Sequence, residues 1–222
     1  MARKNLIRSS LNPYHVYNQT IDRLFYAGRD LPQIWKYCCE ALSEETYENS
    51  AKIHAFVLMN NHFHLLISTP NENLDVIMRN FQSKLCKMIV QKTLRQQFRF
   101  SGPYRWALIR NEYRFANVYK YIYQNPKRAS LVIEAEDYFY STLGIKLGRR
   151  SSEIPLSPSE LYEGIIPSFR DGFLDWVNTN LSDRELDACR NFWKKKKTPS
   201  PLPNFAQEFP HFRKNIQFSF FK

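Results

Sequence analysis

Two extended apolar runs, Ile53 to Met59 and His62 to Ser68, are interrupted only by Asn60-Asn61. A polar pair between β-rich segments is a hairpin signal, and a mid-chain hairpin fixes two antiparallel neighbours around which the other elements must be arranged. Upstream, Tyr14 to Thr20 alternates and favours a first strand, and Leu31 to about Leu42 carries Ile34, Tyr37, Cys38, Ala41 and Leu42 at helical spacing. Downstream, Leu74 to Thr93 has an apolar stripe of Val76, Ile77, Phe81, Leu85, Met88 and Ile89, with Asn71 to Asn73 available to cap it. Tyr104 to Arg110 follows Ser101-Gly102-Pro103 as a fourth strand. Phe115 to Asn125 is predicted as a helix that stops at Pro126, because the residue before proline avoids helical geometry. The order β, α, β, β, α, β, α predicts an α+β, ferredoxin-like (split βαβ) antiparallel sheet with helices on one face and one extra helix.

From about Ala135 the character changes to a mostly helical or irregular extension. Pro155, Pro158 and Pro167 mark loops, and short helices are predicted over Ser157 to Gly164, Phe173 to Leu181 and Ser182 to Trp193. Lys194 to Lys197 and Pro201 to Pro203 read as a solvated basic knuckle and an extended tail. No run of about 18 apolar residues is present and the first residues lack an apolar core segment, so neither a membrane span nor a secretory leader is expected; the cytoplasm, in association with the nucleoid, is the expected location. Cys38, Cys39, Cys86 and Cys189 fit neither a disulfide framework nor a zinc ribbon and read as reduced, buried thiols.

The formal net charge is +11. Between positions 79 and 128 stand Arg79, Lys84, Lys87, Lys92, Arg95, Arg99, Arg105, Arg110, Arg114, Lys120, Lys127 and Arg128 against one acid, Glu112, so this window holds the whole excess. Interleaved with them are Phe81, Phe98, Phe100, Tyr104, Trp106, Tyr113, Phe115, Tyr119, Tyr121 and Tyr123. Cations neutralise phosphates while aromatic faces stack on unpaired bases, so the mixture suits a single-stranded nucleic acid. Arg79, Lys84, Lys87, Arg95, Arg105, Arg110, Arg114, Lys120, Lys127 and Arg128 are the expected contacts, gathered around Tyr121. A solvated helix face with core aromatics is the plainer reading of any one such stretch.

His62-Phe63-His64 lies on a predicted strand, where alternate side chains share a face, so both imidazoles project to one side while Phe63, Leu65 and Ile67 enter the core. Two rings about 7 Å apart along a strand can converge on one metal ion. The same pair also suits a structural role, one ring capping a turn and the other bonded at a sheet edge. No cysteine lies near, which favours an open site with a harder divalent ion and oxygen ligands. On the last predicted helix Tyr121 and Asn125 are four residues apart and share a face, with Tyr119 and Tyr123 roughly opposite. If two histidines shared a metal with an amide oxygen and a phosphate under attack by a phenol, Tyr121 and Asn125 would supply the missing parts; otherwise the tyrosines are packing residues of an amphipathic helix.

These residues resemble a family, the HUH single-tyrosine (IS200-like) transposases, and within it the REP-associated tyrosine transposases. The matching pieces are Tyr14-His15-Val16, Ala55 to Leu66 with Met59-Asn60-Asn61-His62-Phe63-His64-Leu65, and Lys120-Tyr121-Ile122-Tyr123-Gln124-Asn125-Pro126 running on to Val132. Glu136 to Thr142 is a weaker echo, and the resemblance covers about residues 10 to 145. It implies an HUH endonuclease-type catalytic domain over residues 1–145 that binds hairpin-forming single-stranded DNA as a monomer or homodimer. Residues 146–222 are then an extension, either DNA-contacting or packed on the core. It further implies His62, His64 and Asn125 as ligands of Mg2+ or Mn2+, Tyr121 as nucleophile, and a 5′-phosphotyrosine intermediate that is later rejoined. Asn60 stands where the family has proline, and Lys127 and Ser130 where it has valine and glycine. A catalytically quiet nucleic-acid-binding module, or a relaxase or replication initiator of the wider HUH group, are the other readings.

Overall fold

The computed structural model describes residues 5–21, 30–93, 98–151, 153–162 and 164–191. Four strands, β1 (Tyr14–Gln19), β2 (Lys52–Leu58), β3 (His62–Ser68) and β4 (Arg105–Leu108), form one antiparallel sheet in the order β2-β3-β1-β4. This is the split βαβ arrangement that the element order predicts: the hairpin pairs β2 with β3, and β1 inserts between β3 and β4. Helices α1 (Leu31–Glu48) and α2 (Leu74–Thr93) lie together on one face of the sheet, and α3 (Glu112–Arg128) covers the other. Helices on one face therefore describes the two crossover helices, while the extra helix is opposite them.

Strand alternation explains the two layers. Tyr14, Val16, Ile53, Phe56, Leu58, Phe63, Leu65, Ile67, Trp106 and Leu108 meet α1 and α2, where Phe63 is packed edge-on against Phe81 and Trp35 stacks on Phe56. Ala55, Val57 and Leu66 face the other way and pack under α3. Asp30 caps α1 by accepting from the Gln33 N–H, and the helix runs to Glu48, one and a half turns past the predicted stretch.

Pro126 does not stop α3, which continues to Arg128. Proline lacks the N–H that would have reached the carbonyl of Ile122, and the neighbouring Asn125 side chain covers the gap: its Nδ2 donates to the carbonyls of Tyr121 (2.7 Å) and Ile122 (3.5 Å). The chain then turns through Ser130, whose φ of 56° is left-handed. A side chain there carries a strain that glycine does not. Ser130→Gly is expected to raise stability by about 0.5–1 kcal/mol, read as the shift in the urea unfolding midpoint.

The residues after α3 close the structure rather than building a second core. Residues 138–142 run along the outer edge of β2: Leu58 N–H donates to Tyr140 O (2.9 Å), Thr142 N–H to Phe56 O (2.9 Å), and Phe56 N–H to Thr142 Oγ1 (2.8 Å). Ser157 N–H donates to Ile53 O (2.8 Å) further along the same edge. After α4 (Leu143–Lys146), helices α5 (Phe173–Asn178) and α6 (Asp183–Asn191) settle on α3, and Tyr162, Ile165, Phe173, Val177, Leu181 and Cys189 join its apolar cluster. Helices thus fall within the predicted stretches Phe173 to Leu181 and Ser182 to Trp193, whereas Ser157 to Gly164 holds, among its described residues, only a 3-10 turn at Glu160–Tyr162; Trp193, Lys194 to Lys197 and Pro201 to Pro203 lie outside the described residues. All four cysteines are free thiols, Cys86 half-buried and the others buried. Among the described residues no helix is long and apolar enough to cross a membrane.

His54 shows how a histidine is used purely for packing. It sits in a bulge of β2, donates from Nδ1 to Ser157 O (2.8 Å), and its Nε2 bonds the Ser68 hydroxyl (2.8 Å). Burial pushes its pKa down to about 4. Because the unfolded chain takes a proton near 6.5 and the folded chain only near 4, the contribution of His54 is complete above pH 6.5 and is lost as pH falls towards 4. That contribution is on the order of 3 kcal/mol, and His54→Gln is expected to make the fall of thermal midpoint between pH 6.5 and 4 shallower.

Candidate active site

The site lies between the two central strands and α3. Pairing in register, Tyr17 of β1 opposite His64 of β3 and Gln19 opposite His62, puts Tyr17, His62 and His64 on the α3 side of the sheet, with His15 one pleat further along. The rings of His62 and His64 are 5.3 Å apart and perpendicular, and Tyr17 is 5.5 Å from the first and 5.0 Å from the second. The Tyr17 hydroxyl donates to Gln19 Oε1 at 2.5 Å. His15 Nε2 and His64 Nδ1 share a hydrogen bond of 3.0 Å, with the two rings stacked at 5.2 Å.

Helix α3 lowers Tyr121 onto this floor, its ring 5.5 Å from His64 and 6.0 Å from His15, both edge-on. The Arg128 guanidinium lies over the ring at 5.2 Å. Tyr119 and Tyr123, on the other side of the helix as the spacing predicts, turn away: their rings meet at 4.9 Å inside the core, and the Tyr123 hydroxyl bonds Thr142 Oγ1 at 3.0 Å. The structure therefore brings His62, His64 and Tyr121 together and adds His15 and Tyr17, while Asn125, one turn along α3, is bonded through its amide nitrogen to the Tyr121 carbonyl.

Electrostatics follow from burial. His64 is 2% exposed and its pKa is held well below the usual imidazole range by desolvation, then by the neighbouring His15, His62 and Arg128. Desolvation takes His15 to about 3 and His62 to about 4. All three rings are neutral at neutral pH, the form that coordinates metals. Tyr121, 6% exposed, has its pKa raised by desolvation, partly opposed by the charges of Arg128 and of Arg190 from α6.

The donor set suits a divalent cation. An amide oxygen only accepts, so in the 2.8 Å bond between His62 Nδ1 and Asn61 Oδ1 the ring carries its proton on Nδ1 and keeps the Nε2 lone pair. With Nδ1 of His64 engaged by His15, Nε2 is also its outward atom. Asn125 commits its amide nitrogen to the carbonyls of Tyr121 and Ile122 in its own helix. Among the described residues no three or more His, Cys, Asp or Glu side chains are grouped to hold a metal, so a cation here would depend on imidazole nitrogens and a non-carboxylate oxygen.

The basic window divides across the sheet, contrary to the expected gathering around Tyr121. Arg79 and Lys87 are exposed on α2, behind the sheet from the tyrosine, and Lys84 beside them is neutralised by Glu40 (2.9 Å) and Glu44. Lys120 departs furthest from its expected role: it is 5% exposed, with Nζ 5.4 Å from the Trp176 ring, and burial lowers its pKa. Lys127 is paired with Glu134 at 2.8 Å, and Arg114 is half-buried. Arg110 is exposed just after β4. Arg105 reaches over Tyr17 at 5.9 Å and Arg128 over Tyr121, so these two cations border the site. Arg95 lies outside the described residues. His15, Tyr17 and Arg190 are absent from the sequence-derived site. The first two could have been found from the period-two face of β1 had its partner strand been known, whereas nothing local marks α6.

Comparison with known proteins adds a family and a fold. The sequence model of a family described as "Transposase IS200 like" matches residues 12–125. A solved REP-associated tyrosine transposase bound to a REP hairpin superposes with a TM-score of 0.57 at 16% identity, covering 77% of this chain and 96% of that one. A protein assigned as a transposase in Deinococcus radiodurans gives 0.38 at 17% identity, over 55% of this chain and 94% of that one. No curated protein matches the sequence.

Proposed function

The chain belongs to the IS200-like transposase family, and from that premise we propose that it cleaves and rejoins hairpin-forming single-stranded DNA with Tyr121 as nucleophile. The observation that carries this reading is the seat of the Tyr121 phenol, edge-on to His64 and beneath Arg128. The Tyr121 Oη attacks a phosphodiester in line, the O–P bond forms, the P–O3′ bond breaks, and the proton leaving the phenol is matched by one gained at the 3′-oxygen. A 3′-hydroxyl attacking the phosphotyrosine reverses the step, so bond energy is kept and no nucleotide is consumed. Arg128 lies where it can offset negative charge on both the phenolate and the phosphate. His62, His64 and Asn125 would hold Mg2+ or Mn2+, which when bound supplies Lewis-acid polarisation of the phosphate.

The partner is inferred to be a DNA hairpin, as the solved relative binds one. The test is incubation of the full chain with Mg2+ or Mn2+ and labelled hairpins carrying varied flanks, followed by denaturing electrophoresis. The expected result is a covalent adduct whose modified peptide contains Tyr121. Hairpin binding without any adduct, over a broad set of flanks, would instead favour a non-cleaving module, to which the low exposure of the phenol already lends some support.

The division of charge gives a second expectation. Binding weakens with salt, and Arg105→Ala and Arg128→Ala each reduce the slope of log affinity against log salt by about 1. Arg79→Ala and Lys87→Ala leave it unchanged, because those residues lie behind the sheet. Equal effects from both pairs, measured by fluorescence anisotropy, would show that the nucleic acid wraps both faces.

A further inference from the structure

His15 takes no part in the chemistry above, yet it is fully buried against one of the proposed metal ligands. Its place is set by backbone pairing: β1 is held on both sides, by β3 and by β4, which fixes where the His15 ring stands relative to His64. The 3.0 Å contact joins Nε2 of one ring to Nδ1 of the other. Between two neutral imidazoles such a bond has one donor and one acceptor, so its direction decides which nitrogen of His64 keeps a lone pair. If His64 Nδ1–H donates, Nε2 is left to coordinate; if His15 donates, His64 carries its proton on Nε2 and cannot be a ligand through that atom.

We propose that His15 is a positioning residue that accepts from His64 Nδ1–H and so holds the His64 Nε2 lone pair ready for a divalent cation. The inference rests on the metal site of the proposed function. It completes a symmetry visible in the structure, since Asn61 Oδ1 does the same for His62 from the adjoining turn. Each ligand ring then has its own orienting acceptor, one from the hairpin turn and one from the neighbouring strand. His15 is not itself a ligand through Nε2, because that atom is spent on His64.

The tautomer can be read before any metal is added. With histidine labelled in 15N, long-range proton–nitrogen spectra of the metal-free full chain are expected to show His64 protonated on Nδ1 and bare on Nε2; protonation on Nε2 overturns the proposal. Mn2+ titration followed by electron paramagnetic resonance is expected to show a loss of affinity of about 10–100-fold in His15→Leu. His15→Gln, which restores an acceptor, is expected to recover most of that affinity. Unchanged affinity in His15→Leu, or a loss in His15→Gln as large as in His15→Leu, overturns the proposal as well. A wild-type chain that binds no Mn2+ overturns the metal site, and the spectrum of the metal-free protein separates that failure from a failure of the His15 bond.

Discussion

Tyr121→Phe is expected to abolish the covalent DNA adduct, a loss on the order of 10^4-fold or more in cleavage, while hairpin binding persists. The two halves of this outcome have separate causes. The substitution deletes only the oxygen proposed to bond to phosphorus, and among the described residues no other phenol stands in the same place: Tyr17 is tied to Gln19, and Tyr119 and Tyr123 are turned into the core. The ring that packs against His15 and His64 and under Arg128 remains, so the fold and the flanking cations are retained. Tyr123→Phe is the informative control, because it removes a buried hydroxyl bonded to Thr142 at a cost of about 1 kcal/mol and leaves the adduct intact. Denaturing electrophoresis of all three proteins against one labelled hairpin separates the outcomes. An adduct that persists in Tyr121→Phe would overturn the assignment of the nucleophile.

Phe63→Ala has the largest expected effect on stability, about 3–5 kcal/mol. Phe63 stands between the two site histidines on β3 but points the opposite way, fully buried, with ring contacts to Phe56 (6.1 Å), Phe81 (5.4 Å) and Phe100 (5.9 Å). It is the joint between the hairpin, α2 and the segment before β4. Its removal leaves a cavity lined by three rings that cannot close without moving β3. A domain of this size has only about 5–15 kcal/mol in total, so the variant is expected to unfold at a much lower urea concentration and to lose adduct formation at temperatures where the wild type retains it. Phe63→Leu, which refills most of the volume, costs under about 1.5 kcal/mol and keeps activity. A small shift for Phe63→Ala in a urea titration would mean that the two layers are less dependent on this contact than their packing indicates.

The contrast between Phe63 and its two neighbours also shows what the sequence carries plainly. Alternation along a strand sends His62 and His64 one way and Phe63, Leu65 and Ile67 the other, and the structure has them so. The hairpin, the order of elements and the shared face of Tyr121 and Asn125 are likewise local properties, written within a few residues of where they act. What could not be read depends on pairing between distant segments. The i, i+4 spacing separates Tyr121 from Tyr119 and Tyr123, but which of the two sides meets the sheet is decided by packing between distant segments. His15 is marked in the sequence only as part of Tyr14-His15-Val16, and its contact with His64 follows from the pairing of β1 with β3. The basic window is contiguous in sequence but not in space, because the sheet passes between α2 and α3. The preference of the residue before proline for extended geometry predicts a stop at Pro126, yet α3 runs on to Arg128, with the Asn125 side chain donating to the carbonyls of Tyr121 and Ile122.

The strap of residues 138–142 and 156–157 along β2 has a bearing on how copies of this chain can meet. A sheet grows by offering a bare row of amides and carbonyls to an incoming strand, and on the β2 side that row is already spoken for by the chain's own return path. On the other side stands β4, only four residues long. A continuous sheet running through two subunits would therefore have to start from that short border. A pairing of subunits that left the strap in place would have to use that border or side-chain surfaces, and neither route disturbs the bonds that close the β2 edge.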